Sequence, residues 1–178
     1  EQISESIYEQ VKEKEFEMPK KCPVDSSPVV KDGVIYRCSN RSCGARQRET
    51  LYHFVSRAAF DIRGLGAKII DRFLDEGLIR DAADIFTLQE GDIAALERFG
   101  EKSAENIVNE IEAKKKISLP RFIYSLGILR VGEETAQLLA RKYNDVRRHY
   151  IGRIEDLIRF YKDLSLEELQ EIPDVGPK

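Results

Sequence analysis

The 178 residues are 42% hydrophobic and 34% charged, with a formal net charge of −3. This balance excludes overall disorder and supplies apolar surface for one core or two small ones. It also excludes a membrane span: runs such as Ile69-Ile70 and Ile107-Val108 are broken by charge within a few residues, whereas a bilayer requires about 20 apolar positions.

No basic start followed by an apolar stretch and a small-residue cleavage site is present, so a cytoplasmic setting is expected. The three cysteines fall between positions 22 and 43. In a cytoplasmic chain such clustering points to metal before disulfide. The net charge hides a gradient. Residues 19–57 hold eight basic side chains against three acids, a local +5, while residues 1–18 hold six glutamates against two lysines. A basic stretch of this kind suits phosphate neutralisation.

In chain order, residues 1–18 carry one short helical stripe, Ile3, Ile7 and Val11, and are read as a linker or the end of a preceding domain. Met18-Pro19 breaks any helix there. Residues 19–48 form the next unit. Pro28-Val29-Val30 and Val34-Ile35-Tyr36 are two β-prone runs around the turn tripeptide Lys31-Asp32-Gly33, a short hairpin. A two-stranded hairpin is marginal alone, and the flanking cysteines suggest a metal staple. Cys38 and Cys43 lie within the spacing that lets two thiolates meet one ion, and Cys22 lies at the opposite end of the hairpin. The position that would complete a two-residue knuckle with Cys22 holds Asp25, whose carboxylate can ligate zinc; His53 is the substitute, although a helix histidine packed among apolar neighbours is its blander reading. The expected metal set is therefore Cys22, Asp25, Cys38 and Cys43, closed, structural and non-catalytic. Arg46 and Arg48 are placed beside it as backbone-phosphate contacts.

Residues 49–178 read as all-helical, with stretches at 51–60, 67–76, 103–114, 133–143 and 154–161. The fold class is thus mainly α: a metal-stapled β-hairpin knuckle followed by a helical domain. That domain repeats itself. Ile62-Arg63-Gly64-Leu65-Gly66, Leu96-Glu97-Arg98-Phe99-Gly100, Ile128-Leu129-Arg130-Val131-Gly132 and Ile172-Pro173-Asp174-Val175-Gly176 share one pattern of apolar, two residues, apolar, glycine. The final glycines are 34, 32 and 44 residues apart, room for two helices per unit.

A tight turn leading into a helix exposes backbone N–H groups at the positive end of that helix, an anion site that a bare glycine leaves open. The arrangement resembles the helix-hairpin-helix motif, which holds DNA backbones without reading sequence. Gly64, Gly66, Gly100, Gly132 and Gly176 are then the hairpin glycines, with Lys68, Lys102, Ser103 and Thr135 in the first helical turns. Glu133-Glu134 makes the third hairpin the least suited to phosphate, and the fourth ends at Lys178 before its second helix. Glycine also caps helices for geometric reasons alone, so a helical protein-interaction scaffold is the alternative.

Taken in order, Cys22-Pro23-Val24, the hairpin, Cys38 and Cys43, His53-Phe54-Val55-Ser56-Arg57, Asp61-Ile62-Arg63-Gly64-Leu65-Gly66, Leu96-Glu97-Arg98-Phe99-Gly100-Glu101-Lys102-Ser103-Ala104 and Leu126-Gly127-Ile128-Leu129-Arg130-Val131-Gly132 resemble the zinc-finger and helix-hairpin-helix region of bacterial NAD-dependent DNA ligases, over residues 18–178. The resemblance implies a four-domain enzyme that seals nicks through an enzyme-adenylate, in replication and repair, with NAD and magnesium bound outside this region. Residues 1–18 would then close an OB-type domain. The adenylated lysine of that family lies in a K-x-D-G motif, and Lys31-Asp32-Gly33 lacks the intervening residue. The chain should therefore bind nicked duplex DNA without ligating it, as a monomer acting with the other ligase domains in cis and away from membranes. Asp25 stands where the family's second cysteine is expected, and residues 144–168 are longer and richer in Arg and Tyr than the family pattern. A different tandem-hairpin repair protein is the nearest rival, and the cysteine knuckle ahead of the repeats argues against it.

Overall fold

A computed structural model of the chain describes residues 17–146, 154–173 and 175–176. The stripe at 3, 7 and 11, the cluster Arg147-Arg148-His149-Tyr150, and Asp174, Pro177 and Lys178 of the fourth repeat lie outside the described residues. The fold divides after Arg46 into two compact units.

The first unit is built on the hairpin. Strand β1 (Val29–Asp32) pairs antiparallel with β2 (Ile35–Cys38), in the register Val29 to Cys38 and Asp32 to Ile35. The turn is Gly33-Val34, so Lys31 and Asp32 belong to the strand and not to the turn tripeptide expected from sequence. Gly33 adopts φ +62, which only glycine enters without steric cost, and this fixes where the chain reverses. The Cys22 N–H donates to the Ser27 carbonyl at 2.8 Å, closing a loop in which Ser26 has φ +59.

Helix α1 (Gly44–Val55) crosses into the second unit. It starts earlier and stops sooner than the 51–60 stretch read from sequence. Leu51, Phe54 and Val55 carry the apolar signal, while the preceding turn is polar and gives none. After Ser56 the chain turns sharply, with the Phe60 N–H donating to the Phe54 carbonyl at 3.1 Å. Helix α2 (Ala67–Asp75) buries Ile70 and Phe73 completely and ends at Gly77, φ +72. Gly77 N–H to the Leu74 carbonyl and Leu78 N–H to the Phe73 carbonyl make the paired Schellman cap. A short 3-10 turn (Asp84–Thr87) and helix α3 (Glu90–Ala94) lead to α4 (Glu101–Lys114), whose Ala104, Ile107 and Ile111 recur at helical spacing and are buried. With Leu51, Phe54, Phe60, Ile62, Leu65, Ile85 and Ile93 these residues make the main core.

Helix α5 (Leu119–Ser125) packs through Ile123 on α6 (Glu133–Val146), where Ala136 and Ala140, both small and buried, allow close approach. Helix α7 (Ile154–Asp163) adds Leu157 and Phe160 against Tyr143. The Tyr161 hydroxyl donates to the Leu139 carbonyl at 2.8 Å, which satisfies the one polar atom of that ring. Helix α8 (Leu166–Gln170) precedes the fourth repeat. Among the described residues no helix is long and apolar enough to cross a membrane.

Candidate nucleic-acid interface and metal centre

The four sequence repeats share one backbone turn bond. In each, the N–H of the residue before the final glycine donates to the carbonyl three residues earlier: Leu65 to Ile62 at 3.3 Å, Phe99 to Leu96 at 3.1 Å, Val131 to Ile128 at 3.0 Å and Val175 to Ile172 at 3.1 Å. The glycine then opens the next helix, its carbonyl accepting from Ile70 at 3.0 Å, Ala104 at 3.1 Å and Ala136 at 2.9 Å in the first three repeats. Those three donor residues are fully buried, so each hairpin is locked to the core one turn past the glycine.

The glycines themselves are exposed. Gly66 and Gly100 sit at φ −73 and −102, ordinary extended backbone, and neither Gly132 nor Gly176 has a positive φ. A Cβ on any of the four would meet nothing within 4 Å. Their expected tolerance of positive φ is therefore not what is used; Gly64, at φ +89, is the repeat glycine that needs it. The protein's own packing and backbone do not require glycine at these four positions. What a side chain there would obstruct is the space outside.

A second regularity escaped the sequence pattern. Two residues before the final glycine, Gly64, Arg98 and Arg130 adopt φ +89, +72 and +69. Arginine is thus held in left-handed backbone at two exposed hairpin tips, where the first hairpin has glycine. Among the described residues Arg98 pairs with Glu97 alone, at 3.8 Å, and the Arg98 side chain is 88% exposed. The φ value is not encoded in an apolar-x-x-apolar-Gly string, which is why only the glycine version stood out.

The other expected contacts are placed as follows. Lys68 and Ser103 are exposed, and Lys102 is exposed while pairing with Glu105 at 2.8 Å. Thr135 is half-buried and lines an apolar groove of about 650 Å³ with Leu139, Leu157 and Tyr161. Arg46 donates to the carbonyls of Cys38 at 3.2 Å and Asn40 at 3.5 Å. Arg48 forks onto Asp71 at 2.5 Å and Asp75 at 2.6 Å, and Asp71 also accepts from the Tyr52 hydroxyl. Those two carboxylates, Asp75 first, raise the Arg48 guanidinium above its ordinary value. Both arginines thus have intramolecular partners. His53 lies in neither group: its Nε2 is 2.8 Å from the Tyr124 carbonyl, and its ring packs edge-on against Tyr124 at 4.7 Å.

In the first unit the ligand atoms of Cys22, Asp25, Cys38 and Cys43 all lie within 4.8 Å of one another. Cys22 and Cys43 are buried, their sulfurs 3.8 Å apart, and the Cys38 sulfur is 3.5 Å from Asp25 Oδ1. Burial pushes the Cys38 thiol up to about 11. Backbone N–H groups of Asp25 and Val24 hold the Cys22 thiol below its ordinary value. The Ser27 N–H, at 3.0 Å, holds the Asp25 carboxyl well below the usual range, so Asp25 is an anion. Three sulfurs and one carboxylate converging in this way can hold a metal ion.

Two family models match the helical unit: a SAM-like helix-hairpin-helix tandem over residues 56–113 and a helix-hairpin-helix motif over residues 121–178. Among curated proteins, the DNA ligase of Desulfitobacterium hafniense (strain DSM 10664 / DCB-2) is 46% identical over 167 residues, covering 93% of this chain and 24% of that protein. The chain is homologous to a segment of DNA ligases. The DNA ligase of Nitrosococcus oceani is 42% identical over 165 residues, 91% of this chain and 23% of its own length, and that of Coxiella burnetii (strain CbuK_Q154) is 44% identical over 169 residues, 93% and 23% respectively. The chain spans about a quarter of the length of the curated relatives it matches. The two helix-hairpin-helix models thus cover the first two repeats and the last two respectively.

Proposed function

We infer that this chain is the duplex-gripping region of an NAD-dependent DNA ligase: it holds nicked double-stranded DNA by its backbone phosphates, without sequence preference, and carries no catalytic residue of its own. The observation that carries this reading is the set of exposed glycines after four matching turns, three of them opening a helix, which the fold itself does not require. Bare backbone at the positive end of a helix suits an approaching phosphate oxygen. Lys68 supplies a further donor beside Gly64 and Gly66, and Lys102 and Ser103 do so beside Gly100, while at Gly132 Thr135 is turned into the groove. Contacts to phosphate position a duplex and carry no base information, hence the indifference to sequence. Nick sealing, NAD and magnesium belong to the remaining length of the parent protein, which works in the cytoplasm on replication and repair intermediates with this region as a monomeric part.

We assign zinc to Cys22, Asp25, Cys38 and Cys43. Tetrahedral bonds of ~2.3 Å to sulfur and ~2.0 Å to oxygen place two sulfurs ~3.8 Å apart and a sulfur and oxygen ~3.5 Å apart. The separations of 3.8 and 3.5 Å fit that set. Four protein ligands leave no position for a reacting water, so the ion would staple the hairpin, and the Arg46 guanidinium would steady the loop that presents Cys38.

The test is a fluorescence-anisotropy titration with nicked and intact duplexes at two salt concentrations. Affinity should fall steeply with salt and be indifferent to sequence. Gly66→Val and Gly100→Val should each weaken every duplex alike while leaving the helical circular dichroism unchanged. Salt-independent binding, or no binding at low salt, would favour the scaffold reading.

A further inference from the structure

Outside the hairpins, the knuckle contains one side chain whose geometry has no use in the strands. Asn40 donates from Nδ2 to Asp25 Oδ2 at 2.8 Å, and its own Oδ1 accepts from the Ser42 N–H at 2.9 Å. The second bond fixes the amide's orientation: a backbone N–H can meet only the oxygen end, so the NH2 end must face Asp25. Asp25 Oδ1 in turn accepts from the Ser27 N–H at 3.0 Å. Each carboxylate oxygen therefore spends one lone pair on a donor from its own side and keeps another towards the three sulfurs. The Cys38 sulfur is nearly equidistant from the two oxygens, at 3.5 and 3.6 Å.

We propose that Asn40 is the positioning residue that makes Asp25 a competent metal ligand, holding its carboxylate so that one oxygen completes a site otherwise built from three thiolates. The inference rests on the zinc reading above and deepens it. A carboxylate on a single rotatable stem meets an ion in many geometries, monodentate or bidentate, whereas a thiolate offers one atom. A sulfur at position 25 would need no such guide. Of the two nitrogen donors on Asp25, the Ser27 N–H belongs to the backbone, so Asn40 is the one that a side-chain substitution removes. Loss of an outer partner of this kind typically lowers metal affinity 10–100-fold.

The experiment is a chelator competition for zinc on the full 178-residue chain, with Asn40→Ala made both in the natural sequence and in the Asp25→Cys background. We expect Asn40→Ala to weaken zinc at least tenfold in the natural sequence and by less than about threefold once position 25 carries a thiolate. Asn40→Ser separates guiding from folding. Its hydroxyl can still accept from the Ser42 N–H but is too short to reach Asp25, so it should behave as the alanine does. Cobalt substitution supplies a second readout, with the visible absorption of the four-coordinate ion weakened by Asn40→Ala in the natural sequence and kept in the Asp25→Cys background. Equal losses in both backgrounds, or restoration by serine, would make Asn40 a turn residue only and overturn the proposal. Failure of both the unaltered chain and Asp25→Cys to bind zinc would overturn the metal centre itself, a result distinct from zinc uptake that is insensitive to Asn40.

Discussion

Left-handed backbone costs a residue with a side chain roughly 1–2 kcal/mol, and glycine avoids it at the expense of greater freedom in the unfolded chain. Arg98 and Arg130 stand in that region where Gly64 does in the first hairpin. Arg98→Gly and Arg130→Gly should therefore leave stability unchanged or raise it by up to about 1 kcal/mol, while removing a cation from an exposed tip. Urea midpoints should hold or rise as the salt-dependence of duplex binding becomes shallower. A fall in stability would mean that the arginines support the turn. Asp61 gives a second residue-scale test. Lys114, 3.0 Å from its carboxylate, holds the Asp61 carboxyl below its ordinary value. Because the folded-state value is depressed, the stabilisation is full above the unfolded value near ~4 and fades as pH falls through the folded one. Asp61→Asn, which still tolerates the observed φ of +54, should lower the melting temperature at pH 7 and make no difference once the Asp61 carboxyl is protonated in both the folded and unfolded chain.

At the scale of elements, what the sequence revealed depended on how each helix is stabilised. Helices α2, α4 and α6 bury residues at regular three- and four-residue spacing, and that spacing is visible in a string of letters. Helices α3, α5 and α8 run five to seven residues, too short for a period, and fall within the all-helical reading without standing out as separate stretches. The start of α8 is set instead by local bonds. In α8 the Glu168 N–H donates to Ser165 Oγ at 3.2 Å while the Ser165 N–H donates to Glu168 Oε2 at 2.8 Å, a reciprocal capping box. Ser165→Ala should cost about 1 kcal/mol locally, read as faster amide exchange over Leu166–Gln170 with exchange in α4 unchanged. The site was legible in the same uneven way. Cysteine spacing and the glycine period drew attention to the residues that converge, because both are periodic or clustered in sequence. Asn40 and the left-handed arginines could not be read, since one depends on a bond across 15 residues and the other on a backbone angle.

For the whole molecule, the division after Arg46 predicts two responses to one treatment. A hairpin of four-residue strands, with Val34 at its turn 92% exposed, has little apolar burial of its own. The helical unit has a fifteen-residue buried cluster. Removing metal with a chelator should therefore loosen residues 19–46, seen as lost chemical-shift dispersion there, while the main thermal transition of the helices moves little. A single joint transition would mean that the two units fold as one.

The shared turn bond of the four hairpins also bears on how such a chain would let go of a duplex. If several of the hairpins grip phosphate, weak grips mounted on one folded unit would act at high effective concentration on one another, so loss of any single grip would be followed by recapture before the others release. Residence would then be long although every individual contact is short-lived, and exchange of grips one at a time would let the protein creep along the double helix without full dissociation. Crippling one hairpin should shorten the bound lifetime far more than it slows arrival.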